Sequence, residues 1–341
     1  MKKYHVAVVG VGVVGIEILK CLKSRSFPIA NLRVFARSAR AIEVEGIEYE
    51  VEAIGDERFD GVEIALFAGT EGEKGASKLY AHKFIEKGAI VVDNGADFRL
   101  EHDVPLVVPE ANRDAVKNHK GLIANPNCTT IQAIVALCGI HREFGLERIL
   151  LTSFQATSGA GKKAAMKLWE EARTLVNINR NKEFDEIHKD VDSEFDVFSH
   201  QIAFNVIPQI GGFAEDGYTS EEWKVVNETH KILNDDSIRI SSTCVRVPVF
   251  TAHSEAIYFE TKKDADHAQI EKVLKDSEGV KYFADSSFPL PLEVEGTDLT
   301  YVARLRRDPF NKNCFWIWVV ADNLRKGAAL NAVQIAEELT K

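Results

Sequence analysis

The sequence predicts an α/β protein with two domains: a doubly wound parallel sheet at the N-terminus, then an α+β domain with a mostly antiparallel sheet. Three observations support this fold class. Strand-like runs alternate with helical patterns over the first ~120 residues, glycines crowd the turn after the first run, and beyond residue 125 the runs become longer and richer in β-branched and aromatic residues. At 341 residues the chain is long enough for two domains.

The first region alternates strands and helices. Strand-like runs lie at residues 5–9, 32–35, 64–68 and 90–93, and helical patterns lie at 16–22 and 79–86. Such alternation implies βαβ units, whose parallel strands build a doubly wound sheet. We predict that residues 1–127 form this first domain.

The second region predicts a broad sheet and two charged helices. Its strand-like runs are residues 148–157, 238–249, 256–261, 299–305 and 315–321, and its helical patterns run from 162 to roughly 195 and from 220 to 233. The tail at 326–339 places apolar residues at helical spacing, so we expect a terminal helix that packs back onto the first domain. Residues 128–321 are then the second domain, and 322–341 complete the first.

Composition and charge exclude several classes of protein. The net charge of −10 argues against nucleic acid as a partner, since the surface as a whole repels phosphate backbones. No signal-peptide pattern or run of ~18 apolar residues is present, so we expect a cytoplasmic protein without a membrane partner. The five cysteines are scattered and include no C-x-x-C pair, which argues against disulfides and a metal site.

The turn after the first strand reads GVGVVG. Without side chains, Gly10 and Gly12 permit a tight turn and the close approach of a pyrophosphate, and Gly15 permits close packing of helix on strand. Val13 and Val14 begin the helix, whose free N–H groups can bind phosphate. We therefore predict a dinucleotide site of the Rossmann type at these five residues. The alternative is a purely structural tight turn.

The second strand ends in FARSAR, with no acidic residue where an NAD enzyme would hold the ribose 2′-hydroxyl. Arg37, Ser38 and Arg40 suit a 2′-phosphate instead, because guanidinium groups bind phosphate with charge-assisted hydrogen bonds. The sequence therefore predicts NADP as the cofactor. The alternative is a solvated basic turn.

Cys128 lies at a predicted helix start. It follows Asn-Pro-Asn and precedes Ile131, Ile134, Val135 and Cys138, which share one helical face. The helix dipole and unsatisfied N–H groups at such a position favour thiolate over thiol, so we expect a lowered pKa and a nucleophilic sulfur. The alternative is a small helix-starting residue. Cys138 lies on the buried face and is expected to pack in the core.

Ordered motifs along nearly the whole chain resemble the aspartate-semialdehyde dehydrogenases. They are DN at 93–94 with FR at 98–99, PLVVPE at 105–110, NPNC at 125–128, FQATSGAG at 154–161, NVIPQ at 205–209, YTSEEWK at 218–224, CVRVP at 244–248 with AHS at 252–254, and DNLRKGAA at 322–329. The family's usual glycine loop is one residue longer and contains a threonine, and the stretch at 69–74 also differs from the family pattern.

The resemblance implies catalytic roles for three residues. Cys128 would be the nucleophile, His253 the acid and base, and Gln155 an aid to orienting the acyl intermediate. An imidazole that titrates near neutrality would suit such proton exchange.

The resemblance also implies binding roles. Arg246 would clamp the substrate α-carboxylate, Glu221 its amino group, and Arg99, Lys224 and Asn127 the phosphate. In the nucleotide site, contacts would come from Ser158, Gly159 and Asn323.

The implied reaction is the NADP-dependent, phosphorylating interconversion of aspartyl phosphate and aspartate semialdehyde, in a protein that forms a homodimer or a dimer of dimers. Reduction of another acyl phosphate, such as that of N-acetylglutamate, is an alternative, and Glu221 discriminates because only a free amino group wants a carboxylate. A thiol hydrolase or acyl transferase without hydride transfer is a second alternative. A non-catalytic relative would be expected to lack the nucleophile or its base.

Overall fold

A computed structural model of the chain describes residues 2–55, 59–69, 72, 74–191 and 197–341. Part of the unusual stretch at 69–74, namely Thr70, Glu71 and Glu73, lies outside the described residues. So does the expected end of the long charged helix near Phe195.

The first sheet is built by the N-terminal third of the chain. Within the described residues its seven strands are β1 (Tyr4–Val9), β2 (Ile29–Ala36), β3 (Arg40–Val44), β4 (Ile47–Ala53), β5 (Ile64–Phe67), β6 (Ile90–Asp93) and β7 (Leu122–Ala124), in the order β3-β4-β2-β1-β5-β6-β7. All neighbours pair in parallel except β3 with β4. The strand order reverses direction at β1, as in a doubly wound Rossmann-type sheet.

Helices from both ends of the chain cover this sheet. Those of the first half are α1 (Val13–Ser24), α2 (Ala76–Glu86), α3 (Pro109–Asn112) and α4 (Cys128–Phe144). The predicted terminal helix is present as a π-helical turn, Arg325–Ala329, followed by a regular helix, Leu330–Glu338. It packs in the same apolar cluster as β1 and α1.

The second sheet is mixed but mainly antiparallel. Within the described residues its six strands are β8 (Leu146–Gln155), β9 (Arg239–Arg246), β10 (His253–Thr261), β11 (Val280–Tyr282), β12 (Thr300–Arg307) and β13 (Cys314–Ala321), in the order β11-β12-β13-β10-β8-β9. The pairs β12–β13, β13–β10 and β10–β8 are antiparallel, whereas β11–β12 and β8–β9 are parallel. The predicted fold class is confirmed.

Among the described residues, the remaining α-helices are α5 (Lys162–Ile178), α6 (Ser220–Leu233), α7 (His267–Asp276), α8 (Pro291–Val294) and α9, the terminal helix at Leu330–Glu338. The first charged helix was predicted to reach roughly residue 195, which is wrong, since α5 ends at Ile178. A turn follows in which Asn179 bonds His188 through both its side-chain oxygen and nitrogen, and this closes the chain back on itself. The charged composition alone did not reveal this break.

Strand directions bring the candidate residues to one place. The parallel strands β8 and β9 end at Gln155 and Arg246, which are cross-strand neighbours, and the antiparallel β10 begins there with His253. The next strand, β13, ends opposite His253 at Ala321. These strand ends face the carboxyl edge of the first sheet, where ligands bind in doubly wound folds.

Candidate active site

A cavity of about 590 Å³ lies between the carboxyl edge of the first sheet and the strand ends of the second. Most of the predicted site residues line it. They are Gly10, Gly12, Val13, Val14, Gly15, Arg99, Asn127, Cys128, Gln155, Ser158, Gly159, Glu221, Lys224, Arg246 and Asn323. His253 is fully buried directly behind the cysteine.

Cys128 is the first residue of α4, as predicted. Asn127 caps this helix, because its side-chain oxygen accepts hydrogen bonds from the N–H groups of Thr129 at 3.0 Å and Thr130 at 3.3 Å. Cys128 is the one partly exposed cysteine among the five, since the other four are buried. The cysteine sulfur is therefore accessible from the cavity and rigidly placed.

The thiol of Cys128 faces an imidazole. Its Sγ lies 3.4 Å from Nε2 of His253, and Nδ1 of the same ring accepts the backbone N–H of Ala156 at 3.0 Å. Because Nδ1 is an acceptor in this arrangement, the neutral ring carries its proton on Nε2 and presents it to the sulfur. The pair is thus arranged to stabilise negative charge on sulfur by a hydrogen bond.

Burial reverses the expected direction of the Cys128 pKa. Desolvation and the neighbouring Glu221 carboxylate raise the pKa of the thiol to about 11, although Arg246 and Arg99 oppose the shift. The prediction of a lowered pKa included the effect of the helix N-terminus, but the burial of the site could not be known from the sequence. In this arrangement the thiol form dominates near neutral pH.

The histidine also departs from expectation. Burial, and secondly the positive charge of Arg246, hold the pKa of His253 well below its usual value. The expectation of an imidazole that titrates near neutrality is therefore wrong for this arrangement, because the ring has no exposure and a guanidinium nearby.

Arg246 and His253 converge on one small space. Arg246 is 5% exposed, and its Nη1 donates to the carbonyl oxygen of Ala156 at 2.6 Å. A side chain on Gly159 would place its Cβ 3.0 Å from that Nη1 and 3.2 Å from Nε2 of His253. A glycine at 159 therefore keeps the space between the cation and the imidazole open, whereas a side chain would crowd both groups.

Glu221, Gln155 and Asn127 form a hydrogen-bonded group beside the cysteine. One Glu221 oxygen accepts from the Asn127 amide at 2.9 Å and from the Gln155 amide at 3.2 Å. Gln155 also donates to the hydroxyl of Thr129 at 2.8 Å, and Lys224 lies 3.5 Å from the other Glu221 oxygen. The group presents both signs of charge to the cavity, which suits a zwitterionic ligand.

Arg99 is bound on several sides. It is 6% exposed and donates to the carbonyl oxygens of Asn94 and Asn125 and to the carboxylate of Glu228, at 2.8, 2.9 and 3.0 Å. It therefore lines the cavity as a fixed cation that also joins the ends of β6 and β7.

The glycine loop has the tight geometry that its spacing predicts. Gly12 precedes α1 directly, so the first N–H groups of that helix face the cavity. A Cβ on Gly15 would lie 1.9 Å from the carbonyl oxygen of Gly10, which only glycine avoids. Across the cavity, Ser158 and Asn323 are hydrogen-bonded to each other at 3.1 Å. These surfaces fit a dinucleotide lying along the cleft.

Family models match both parts of the chain. A model described as "Semialdehyde dehydrogenase, NAD binding domain" matches residues 5–119, and one described as "Semialdehyde dehydrogenase, dimerisation domain" matches residues 137–326. A curated aspartate-semialdehyde dehydrogenase from Aquifex aeolicus is 43% identical over 99% of this chain and 98% of its own length. The chain belongs to the aspartate-semialdehyde dehydrogenase family. The resemblance recognised in the sequence is thus confirmed.

Other members of the family agree in sequence and fold. The aspartate-semialdehyde dehydrogenase of Bacillus subtilis is 41% identical over 99% of this chain and 97% of its own. A crystal structure of aspartate semialdehyde dehydrogenase II from Vibrio cholerae, complexed with ASA, has a TM-score of 0.92 at 40% identity and covers 100% of this chain and 99% of that one. The family places the chain among oxidoreductases of amino-acid biosynthesis that use a nicotinamide cofactor, and its dimerisation domain supports oligomerisation.

The basic turn lies apart from the cavity of this family member. Among the described lining residues, Arg37, Ser38 and Arg40 do not occur. They are exposed beyond the end of β2, where Arg40 approaches the Ser38 hydroxyl at 3.3 Å. Of the predicted site residues, these three are the ones the structure does not bring to the cleft.

Sequence reasoning missed two buried charged residues around the site. Glu228 bonds the backbone N–H of Asn127 at 2.6 Å, and its position seven residues after Glu221, on the same helix face, was a usable signal. Lys326 is 1% exposed and donates to both oxygens of Glu110 at 2.8 Å. It anchors the segment in which Gly327 packs against Cys128, and no sequence pattern pointed to the Glu110 pairing.

In the part of the chain that the structure describes, no helix is both long and apolar enough to cross a membrane.

Proposed function

We propose that the chain catalyses the NADP-dependent reductive dephosphorylation of L-aspartyl 4-phosphate to L-aspartate 4-semialdehyde, and the reverse reaction, through a thioester at Cys128. One observation carries the proposal: the helix-start cysteine lies 3.4 Å from the His253 ring in the same cavity as the glycine loop. A nucleophile, an imidazole and a dinucleotide cradle in one cleft suit an acyl transfer coupled to hydride transfer.

In the reductive direction, the sulfur of Cys128 attacks the acyl carbon, and the bond from that carbon to the phosphate oxygen breaks. Inorganic phosphate leaves and a thioester remains. The hydride that reduces the thioester is the chemistry that a bound NADPH supplies. The thiohemiacetal then collapses, its carbon–sulfur bond breaks, and the aldehyde is released from the thiolate.

His253 acts on sulfur and on the thiohemiacetal oxygen in turn. Nε2 accepts the thiol proton as the sulfur attacks, and the resulting Nε2–H then stabilises the negative charge that develops on the thiohemiacetal oxygen. The proposed acid and base role exchanges a proton at Nε2, which requires the tautomer with hydrogen on Nδ1. We therefore expect the contact of Nδ1 with the Ala156 N–H to open when a substrate binds.

The substrate would be held by charge complementarity. Arg246 is placed to clamp the α-carboxylate with its planar fork, and Glu221 to bind the amino group. Gln155 orients the acyl group beside Cys128. Asn127, Arg99 and Lys224 would hold the phosphate, since they bring amide, guanidinium and ammonium donors to the same cavity.

NADP fits the residues at the other end of the cleft. The cradle at Gly10, Gly12 and Gly15 admits a pyrophosphate at the start of α1, where Val13 and Val14 begin the helix. Ser158, Gly159 and Asn323 form the facing wall. Arg37, Ser38 and Arg40 would bind the 2′-phosphate outside the cavity, at the exposed end of β2.

We further propose that the enzyme is a cytoplasmic homodimer, or a dimer of dimers, that serves the biosynthesis of lysine, through diaminopimelate, and of threonine, methionine and isoleucine. The second domain, 128–321, would carry the interface. Helices α4 and α7 contact one face of its sheet, whereas the other face presents Leu150, Tyr258 and Trp316, with the Phe154 and Trp318 rings 5.8 Å apart. Light scattering at micromolar concentration tests the proposal, and a monomer would exclude it.

The decisive experiment is an assay of NADP⁺ reduction with aspartate semialdehyde as a function of phosphate concentration. Phosphate-dependent turnover is expected, and its absence would remove the proposal. N-acetylglutamate semialdehyde serves as the matched alternative substrate. It should be turned over poorly, because an acylated nitrogen gives the Glu221 carboxylate no cationic partner.

A further inference from the structure

Glu228 lies behind the active-site cavity, on the helix that carries two of the proposed substrate ligands. It is 1% exposed and does not occur among the described residues that line the cavity. It lies two turns after Glu221 on the same face of α6. That placement directs it at the start of α4, where Cys128 begins the helix.

The Glu228 carboxylate has two partners from different parts of the fold. Its Oε2 accepts the backbone N–H of Asn127 at 2.6 Å, and its Oε1 accepts Nη1 of Arg99 at 3.0 Å. Burial raises the pKa of Glu228, but the Arg99 charge and the Asn127 N–H both favour the ionised form. The carboxylate therefore joins α6 to the residue that caps α4 and to the loop after β6.

Both partners depend on Glu228 for their orientation. Asn127 caps α4 through its side chain while its own N–H points at Glu228, so the carboxylate determines how the cap residue sits. Arg99 lies between Glu228 on one side and the carbonyl oxygens of Asn94 and Asn125 on the other. A buried donor left without its acceptor destabilises the arrangement, so the partners would move when the carboxylate is lost.

We infer that Glu228 is a positioning residue for the reaction: it holds Asn127 and Arg99 in the arrangement that binds phosphate next to Cys128. The inference rests on the proposed function, since phosphate is a ligand only in that reaction. Glu228 itself touches neither substrate nor cofactor.

A positioning role and a simple charge effect predict opposite results. A carboxylate near an anion site repels phosphate and disfavours a thiolate, so removal of its charge alone should lower the KM for phosphate and speed alkylation of Cys128. Loss of position should raise the KM for phosphate and slow alkylation of Cys128. Arg99 and the capping residue Asn127 would then shift, and the phosphate and the sulfur would lose donors that are fixed in the wild type.

The test uses Glu228→Gln and Glu228→Asp in the full-length enzyme. Glu228→Gln keeps the shape of the side chain, but its amide nitrogen is a donor and faces one of two groups that also donate. Glu228→Asp keeps the negative charge, but its side chain is one methylene shorter. The matched control is Glu171→Gln, because Glu171 is also buried and its carboxylate also accepts backbone N–H groups, in its case those of Ile202 and Ala203. Three quantities are measured: the KM for phosphate and for the semialdehyde, the rate of Cys128 alkylation without substrates, and Tm.

Both Glu228 variants should raise the KM for phosphate by roughly 10-fold or more and change the KM for the semialdehyde less. Both should slow alkylation of Cys128, whereas Glu171→Gln should change only Tm. A lower phosphate KM, faster alkylation, or a native-like Glu228→Asp would overturn the inference, as would a loss confined to Tm. If the wild-type enzyme shows no dependence on phosphate, the proposed function fails, and the alkylation rates alone decide the role of Glu228.

Discussion

The two ends of the cleft are built in different ways. At the end with Cys128, the proposed ligands are side chains, and most of them are buried and held by hydrogen bonds, such as Arg246 on the Ala156 carbonyl oxygen and Gln155 on the Thr129 hydroxyl. At the nucleotide end one wall of the cleft is the glycine loop and the other carries Ser158 and Asn323, and the charged residues proposed for recognition, Arg37 and Arg40, are exposed.

This difference indicates how strongly the residues at each end should affect binding of the substrate and of the cofactor. Buried side chains with fixed partners lose much of their effect when one atom moves, because their geometry is preorganised and desolvated. Exposed arginines contribute through solvent-screened charge, so each contributes less. We therefore expect the larger mutational effects at the end with Cys128.

The largest effect should follow Cys128→Ser. A hydroxyl at the same place is a far weaker nucleophile, so kcat should fall at least ~10³-fold while the fold is kept. Cys314→Ser, at the start of β13, is the matched control and should retain kcat. Steady-state kinetics and a melting curve check both variants, and comparable turnover by Cys128→Ser would end the nucleophile assignment.

The pH dependence of alkylation tests the burial of the same sulfur. Since burial raises the pKa of Cys128 to about 11, the thiolate fraction should grow about tenfold for each pH unit below that value. Between pH 7 and pH 9 the rate with iodoacetamide should therefore rise about 100-fold. Mass mapping should find the label mainly at 128, the partly exposed cysteine. A rate that levels off below pH 8 would mean that the helix terminus outweighs burial.

Arg246→Lys should have a smaller effect on activity at the same end of the cleft. A lysine keeps the charge but cannot form two parallel bonds to a carboxylate, so kcat/KM for the semialdehyde should fall ~10-fold or more. The control is Arg239→Lys at the other end of β9, where the guanidinium is exposed and pairs with Glu147. Near-native kinetics for Arg246→Lys would show that Arg246 is not the carboxylate clamp.

The smallest effect is expected at the exposed end. The wild type should prefer NADP over NAD by at least ~10-fold, and the double variant Arg37→Ala, Arg40→Ala should lose that preference with little change in kcat. Arg307→Ala, an exposed arginine of the second sheet, is the control. Steady-state kinetics with both cofactors decide the matter. A double variant with its preference intact would mean that other residues read the 2′-phosphate.

Much of the fold could be predicted from the sequence, because the local patterns of apolar residues and glycines agree with the elements that form. Alternating strands and helices and the glycines of the first turn predicted the Rossmann-type sheet, and a cysteine before an amphipathic run predicted the start of α4. The break after Ile178 was not predictable, because it depends on the side chain of Asn179 bonding the backbone of His188, a contact without a periodic signal.

Within the site, residue types were easier to predict than their electrostatic state. A helix start is visible in the sequence, but the depth at which it is buried is a property of the whole fold, and so the pKa of Cys128 was expected in the wrong direction. The same holds for His253, whose ring lies near Arg246 only because the start of β10 and the end of β9 lie on the same side of the sheet, with β8 between them. Buried pairs such as Lys326 with Glu110 join segments distant in the chain and leave no local trace.

The terminal helix α9 has a consequence for how the protein is made. The apolar cluster under β1 combines Val6 and Val8 with Leu330, Val333 and Ile335, and Arg25 bonds Glu337 through two nitrogens. Val6 and Val8 are therefore synthesised long before Leu330, Val333 and Ile335, and they wait for these later residues before this core can close. At ~5–20 residues per second on the ribosome, that wait is roughly 15 to 60 s, during which the growing chain exposes an apolar surface that chaperones can bind.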